Sequence, residues 1–248
     1  MLRLGVSSST WWVSSVVSQI EAVIFDWGGT LTPWKSIDQT EEWASVARLA
    51  APDRVEETTT ALLDAAAMVW KRSRDEHRSA TMAEICELAG VILENTLLAG
   101  YREFWEHATY TDEDVLPLFS RLKVDGIKVG VLSNTVWPRE WHEEYFDRDG
   151  VLGMLDGAVY SSEIAWTKPS VEAFRAAMAS VGAEDPARCV FIGDRLFDDI
   201  WGASNAGMRT ILVPHSDIPV EQSGHSAGEP DAIAERLSDV YDIVSAWR

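Results

Sequence analysis

The chain has 248 residues, 46% of them hydrophobic, which suits one large domain or a core carrying a smaller insert. Forty acidic residues against 21 basic ones give a formal net charge of −19, which argues against nucleic acid or an anionic membrane surface as a partner. Cys86 and Cys189 stand far apart in apolar contexts without metal-ligand spacing, as in a reduced cytoplasmic chain, and no apolar run reaches the ~18 residues of a membrane span.

Residues 1–19 are rich in Ser and Val around Trp11-Trp12 and read as an N-terminal extension, without the clear apolar stretch and cleavage site of a signal peptide. Ala22-Val23-Ile24-Phe25 then runs straight into Asp26-Trp27-Gly28-Gly29-Thr30. Four apolar residues, an acid and two glycines predict a buried parallel strand that ends in a carboxylate and turns sharply. In open α/β sheets the ligand site lies beyond the carboxyl ends of the strands. An aspartate there attacks a phosphorus or carbon centre, or holds a metal; the plainer alternative is a turn cap.

Residues 36–109 carry four helical patterns and no strand pattern. Trp43, Val46, Leu49 and Ala50 share one face of the first, and Val55, Leu62, Leu63, Ala66, Val69 and Trp70 one face of the second. Met82, Ile85, Cys86 and Ala89 mark a third; Leu97, Leu98, Tyr101, Phe104 and Trp105 mark a fourth. From Val115 onward helix and strand alternate. Strands are predicted at residues 127–132, 157–160, 190–192 and 210–213, and helices at 115–123, 137–146, 170–181, 199–206 and 231–246, the last with Ile233, Leu237, Val240, Tyr241 and Val244 facing inward. A Ser/Gly/Pro-rich loop covers 216–230. The alternation predicts an α/β fold, a doubly wound parallel sheet built from 20–35 and 110–248, with 36–109 inserted as a helical cap.

Three further segments end on polar groups. One apolar strand runs into Ser133-Asn134-Thr135, Thr167-Lys168-Pro169 precedes a helical pattern, and Val190-Phe191-Ile192 runs into Gly193-Asp194, with Asp198 and Asp199 following. Asp26, Ser133, Lys168 and Asp194, in this order and on these elements, resemble the haloacid dehalogenase-like (HAD) hydrolase superfamily, in the subgroup with a helical C1-type cap. The resemblance runs from about Glu21 to the C-terminus and is specific only in combination.

That resemblance implies a Rossmann-like core and a Mg²⁺-dependent hydrolase, most simply a phosphatase of a small phosphorylated or otherwise anionic metabolite. Asp26 is then the nucleophile that forms an aspartyl phosphate. Asp26, Asp194, Asp199 and the Gly28 carbonyl hold Mg²⁺. Ser133 and Asn134 bind the phosphoryl group, the latter with Thr135 through backbone N–H groups, and Lys168 balances its charge. Asp198 and Asp199 both suit the last acidic position; the phrasing Asp199-Ile200-Trp201-Gly202 favours Asp199, and Asp198 then caps the helix. Family phosphatases carry an acid/base aspartate two residues after the nucleophile, where this chain has Gly28. The polar group Lys71, Arg72, Arg74 and His77 could offer a substitute, although a solvated helix end is the favoured reading of it. Trp27 and Trp34 flank the turn and are candidates to line a substrate pocket. A phosphonoacetaldehyde hydrolase-type enzyme with Lys71 as Schiff-base lysine, a metal-free dehalogenase and a non-catalytic metal-binding module are the rival readings. A homodimer is compatible with the sequence.

Overall fold

A computed structural model of the chain describes residues 19–214 and 227–248. The expected N-terminal extension and most of the loop expected at 216–230 lie outside the described residues.

Six parallel strands form one sheet in the order β3-β2-β1-β4-β5-β6. They are β1 (Ala22–Phe25), β2 (Lys128–Ser133), β3 (Gly157–Tyr160), β4 (Cys189–Gly193), β5 (Arg209–Leu212) and β6 (Ala232–Ile233). All four residues of β1 are buried, as a central strand covered on both faces requires. One face packs Val23, Phe25, Val131 and Ile192 under Phe119, Leu122, Val240 and Val244; the other packs Ile24, Leu132 and Phe191 under Phe174 and Ala177. Phe25 is level with Val131 and Ile192, so whatever follows β1, β2 and β4 gathers at one carboxyl edge.

Between β1 and β2 the chain forms α1 (Gln39–Ala50), α2 (Val55–Glu76), α3 (Met82–Leu88) and α4 (Asn95–Trp105). Asp38 caps α1 by accepting from Thr40 N and Glu41 N, and Thr81 caps α3 by accepting from Glu84 N. After β1 and these four helices come α5 (Val115–Val124), α6 (Arg139–Arg148), α7 (Val171–Ser180), α8 (Gly202–Asn205) and α9 (Leu237–Ala246), all in the sheet-building part of the chain.

Three local expectations are corrected. The last helix begins at Leu237, not near Asp231, because the Asp231 carboxylate accepts from Thr210 N and aligns Ala232–Ile233 along β5 as a sixth strand. Ile233 is consequently exposed rather than inward-facing. The segment after Asp194 enters a π-helical turn, Leu196–Trp201, before α8, since Asp199 N and Ile200 N both reach Arg195 O. On α1, Leu49 and Ala50 are exposed, while Glu42 is buried beside Trp43 and Val46.

Candidate active site

Asp26 follows β1 and is 6% exposed. Lys168, on the loop before α7 and 4% exposed, donates from Nζ to Asp26 Oδ1 at 2.5 Å and to Asp199 Oδ1 at 2.7 Å. Asp194 follows β4. Its Oδ2 accepts from Trp34 Nε1 at 3.2 Å, and its Oδ1 is buried without a hydrogen-bond partner among the described residues. Asp26, Asp194 and Asp199 each offer a carboxylate oxygen within 4.8 Å of the others. Three buried acids thus stand beside one lysine, which bonds two of them.

The electrostatics follow from that imbalance. Burial raises the Asp26 carboxyl above the ordinary range, opposed by Lys168 and reinforced by Asp199. Burial raises Asp194 too, with Asp26 and Asp199 adding to it. Burial works against the Lys168 ammonium, but Asp199 and Asp26 more than offset it and keep it charged. A cluster with surplus negative charge and an orphaned buried carboxylate oxygen suits a hard divalent cation, which takes oxygen ligands.

The remaining expected residues fall as follows. Ser133 closes β2 and is 2% exposed. Asn134 spends its side chain on Lys168: Oδ1 accepts from Lys168 N at 2.8 Å and Nδ2 donates to Lys168 O at 3.0 Å. The Thr135 N–H, expected to face a phosphoryl group, donates instead to Ser161 Oγ at 2.8 Å. Of the two adjacent acids it is Asp199 that joins the cluster. Its Oδ2 also accepts from Arg195 N at 2.9 Å, so both of its oxygens are engaged. Asp198 lies outside the three-acid cluster, 3.7 Å from Arg195 Nη1.

The glycine turn divides its labour. At Gly29, φ is +98°, and a Cβ would lie 2.2 Å from Trp34 Nε1 and 2.5 Å from Asp194 Oδ2, so only glycine fits. At Gly28 an added Cβ meets nothing within 4 Å. Trp34 touches the acidic cluster, whereas Trp27 packs into the core against Trp137 and His142. Lys71 is exposed and ion-paired with Asp75 on its own helix, and Arg72 pairs with Glu84, so neither belongs to the cluster around Asp26.

Several supporting groups carry no signal in the sequence. His142 is fully buried under the loop after β2, with Nε2 3.2 Å from Thr135 Oγ1; its pKa is pushed down to about 3, chiefly by burial. Arg195 stacks over Trp34 and offsets a small part of the burial that raises the carboxyls of Asp26 and Asp194. Glu42, Tyr101 and Trp105 form a buried group that reaches the sheet-building part through Trp137 Nε1.

The helices between β1 and β2 dock directly on the loops that carry the site. Met82 N donates to Val136 O at 2.9 Å, Ser79 N to Ala165 O at 3.2 Å, and Thr167 N to His77 O at 2.9 Å.

A family model described as HAD-hydrolase-like matches residues 165–240. A glyceraldehyde 3-phosphate phosphatase of Methanothermobacter thermautotrophicus is 36% identical over 125 residues, 50% of this chain and 54% of that protein. The chain thus spans about half the length of the curated relatives it matches. Among solved structures, a HAD phosphatase from Thermococcus onnurineus superposes with a TM-score of 0.62 at 19% identity, covering 91% of this chain and 98% of that one. The L-2-haloacid dehalogenase of Xanthobacter autotrophicus gives 0.59 at 20% identity, with the same coverage. At these identities the two structures speak for the fold, a parallel sheet with flanking helices, rather than for a reaction. Motif order, fold and the family match over residues 165–240 all point to the haloacid dehalogenase-like hydrolase superfamily.

Proposed function

We propose that this protein is a Mg²⁺-dependent phosphatase of a small phosphorylated metabolite that works through an aspartyl phosphate on Asp26. The observation that carries this reading is the three-acid, one-lysine cluster with the orphaned Asp194 Oδ1. A dehalogenase needs no metal and has no use for a surplus of buried carboxylates. The phosphatase name of the relative points the same way. The Schiff-base alternative loses its lysine, since Lys71 is exposed and paired with Asp75.

In this reading Asp26 and Asp194, with the Gly28 carbonyl, hold the Mg²⁺. Bound Mg²⁺ supplies charge neutralisation where phosphoryl oxygens meet carboxylates. Asp199 fixes Lys168, because its two oxygens are taken by Lys168 Nζ and Arg195 N. Asp26 attacks phosphorus and the ester oxygen departs. Ser133 Oγ and the Asn134 N–H donate to non-bridging oxygens, and Lys168 stabilises the charge that develops there. Water then attacks the phosphorus of phospho-Asp26, releasing phosphate and restoring the carboxylate.

The test is a panel of phosphate monoesters, 2-haloacids and phosphonoacetaldehyde, with and without Mg²⁺. Phosphate release that needs both Mg²⁺ and Asp26, with acid-stable label trapped on Asp26, supports the reading. Turnover of haloacids in EDTA would replace it with the dehalogenase.

A further inference from the structure

The site lacks a proton-transfer group where its family keeps one, since Gly28 has no side chain. A substitute must sit at the seam between the α1–α4 helices and the sheet, be ionisable near neutral pH and be held in place. Among the described residues His77 combines these properties.

His77 ends α2 with φ +54°, and no other described non-glycine residue has positive φ. A side chain in that region is costly and is found disproportionately where function requires it. The conformation turns the chain so that the His77 carbonyl accepts from Thr167 N at 2.9 Å, one residue before Lys168. Ser73, one turn back on α2, donates to Thr167 Oγ1 at 3.2 Å and doubles the link. The His77 ring lies 6.3 Å from the ring of Phe197, two residues before Asp199. His77 is therefore bracketed by Thr167, next to Lys168, and by Phe197, two residues before Asp199. Its Nδ1 is buried and has no hydrogen-bond partner among the described residues, although its backbone is fully committed. The other members of the polar group that includes His77 do not compete: Lys71 pairs with Asp75, Arg72 with Glu84, and Arg74 is exposed near the end of α2.

We propose that His77 supplies the acid/base function missing at Gly28, by contacting the leaving-group oxygen of the substrate. This rests on the phosphatase reading above. As Asp26 attacks and the P–O ester bond breaks, the imidazolium gives its proton to the departing alkoxide, which leaves as the alcohol. The neutral imidazole then takes a proton from the water that attacks phospho-Asp26, and phosphate departs. An imidazole is suited to both half-reactions because it changes charge near neutral pH.

The test compares leaving groups. His77→Asn keeps a side chain that tolerates positive φ. It should lose on the order of 10²-fold in rate on an alkyl phosphate. On p-nitrophenyl phosphate, whose leaving group needs little protonation, the loss should be at least ten times smaller. Rapid-quench measurement of phospho-Asp26 formation reads the first step alone. His77→Gly with added imidazole is the second variant: rescue that rises with imidazole concentration, on the alkyl ester more than on the aryl ester, is expected. Equal losses on both esters, or no loss, would overturn the assignment and leave His77 a structural cap. If the wild-type protein forms no phospho-Asp26 from any monoester, and Asp26→Asn changes nothing, the phosphatase reading itself has failed and this assignment falls with it.

Discussion

The side-chain amide of Asn134 grips the backbone of Lys168 from both sides, accepting from its N–H at 2.8 Å and donating to its carbonyl at 3.0 Å. The loop after β2 thus sets where the loop before α7 stands. The Lys168 ammonium then reaches Asp26 and Asp199 from a fixed base. Asn134→Ala removes both bonds and leaves Lys168 tethered only by its ion pairs. Each bond contributes roughly 0.5–1.5 kcal/mol, so unfolding stability should drop by about 1–3 kcal/mol in urea titrations. Turnover should fall by more than substrate affinity does, because the loss is one of positioning. A variant with unchanged kcat would show that Lys168 is held by its carboxylate partners alone.

Asp194 and Asp199 should separate in their response to Mg²⁺. Asp194 has an oxygen to spare, whereas Asp199 has both oxygens engaged. A ligand that binds only the folded state raises stability by about 2.7 kcal/mol at a hundred times its Kd. The wild-type Tm should therefore climb with Mg²⁺, and Asp194→Asn should abolish the climb. Without metal, Asp194→Asn should itself be more stable than wild type, by on the order of 1 kcal/mol, because one of three crowded buried charges is gone. Asp199→Asn should keep the Mg²⁺-dependent climb and lose activity. Loss of the climb in Asp199→Asn would make it a metal ligand rather than the anchor of Lys168.

The strands that carry chemistry were legible because each is an apolar run closed by a polar residue, and the parallel sheet follows from their alternation with helices. The π-helical turn at Leu196–Trp201 was not legible, since it arises where Asp199 N and Ile200 N both reach Arg195 O, an arrangement with no periodic signature. The short strand at Ala232–Ile233 was hidden for a similar reason: Ile233, Leu237, Val240 and Val244 fit a helical period, and only the Asp231–Thr210 contact breaks it. Glu42 sits among apolar neighbours at helical spacing and reads as a solvent-facing acid. Its burial depends on Tyr101 and Trp105, about sixty residues away. Long-range partners of this kind are what a single sequence withholds.

Glu42 should leave a mark on stability against pH. Its Oε1 accepts from Tyr101 Oη at 2.6 Å and Trp105 Nε1 at 3.1 Å, yet burial still lifts its pKa from 4.5 to about 6. An acid whose folded pKa is raised binds its proton more tightly when folded. The contribution is fully present below the unfolded pKa of 4.5 and is lost as pH rises through 6. The loss is about 2 kcal/mol. Fully buried His142 acts in the opposite sense, since its pKa is depressed from 6.5 to about 3 and stability falls with pH below 6.5. Subtracting the ΔG–pH curve of Glu42→Gln from that of wild type cancels His142 and isolates Glu42. The difference should slope downward between pH 4.5 and 6.5 and be flat above. A flat difference throughout would mean that Glu42 ionises in the folded protein as it does in water.

Gly28 gives the most direct engineering test. The neighbouring glycine could not be replaced, because at φ +98° its Cβ would strike Trp34 and Asp194. Gly28 has no such constraint: its φ is not positive, and a Cβ there meets nothing within 4 Å. Gly28→Asp should therefore fold with a Tm within a few degrees of wild type. The new carboxyl would stand two residues after Asp26, ready to protonate a leaving group and later to activate water. General acid–base help of this kind is worth roughly 10²–10⁴ in rate; because His77 already carries the proton, Gly28→Asp alone should change the turnover of alkyl phosphates little. In His77→Asn the same substitution should restore most of the lost alkyl-phosphate activity, because one proton carrier replaces another. A large gain by Gly28→Asp in an otherwise wild-type background would mean that proton transfer is not already supplied, and would count against His77. Failure to rescue His77→Asn would mean that His77 does something a carboxylate at position 28 cannot.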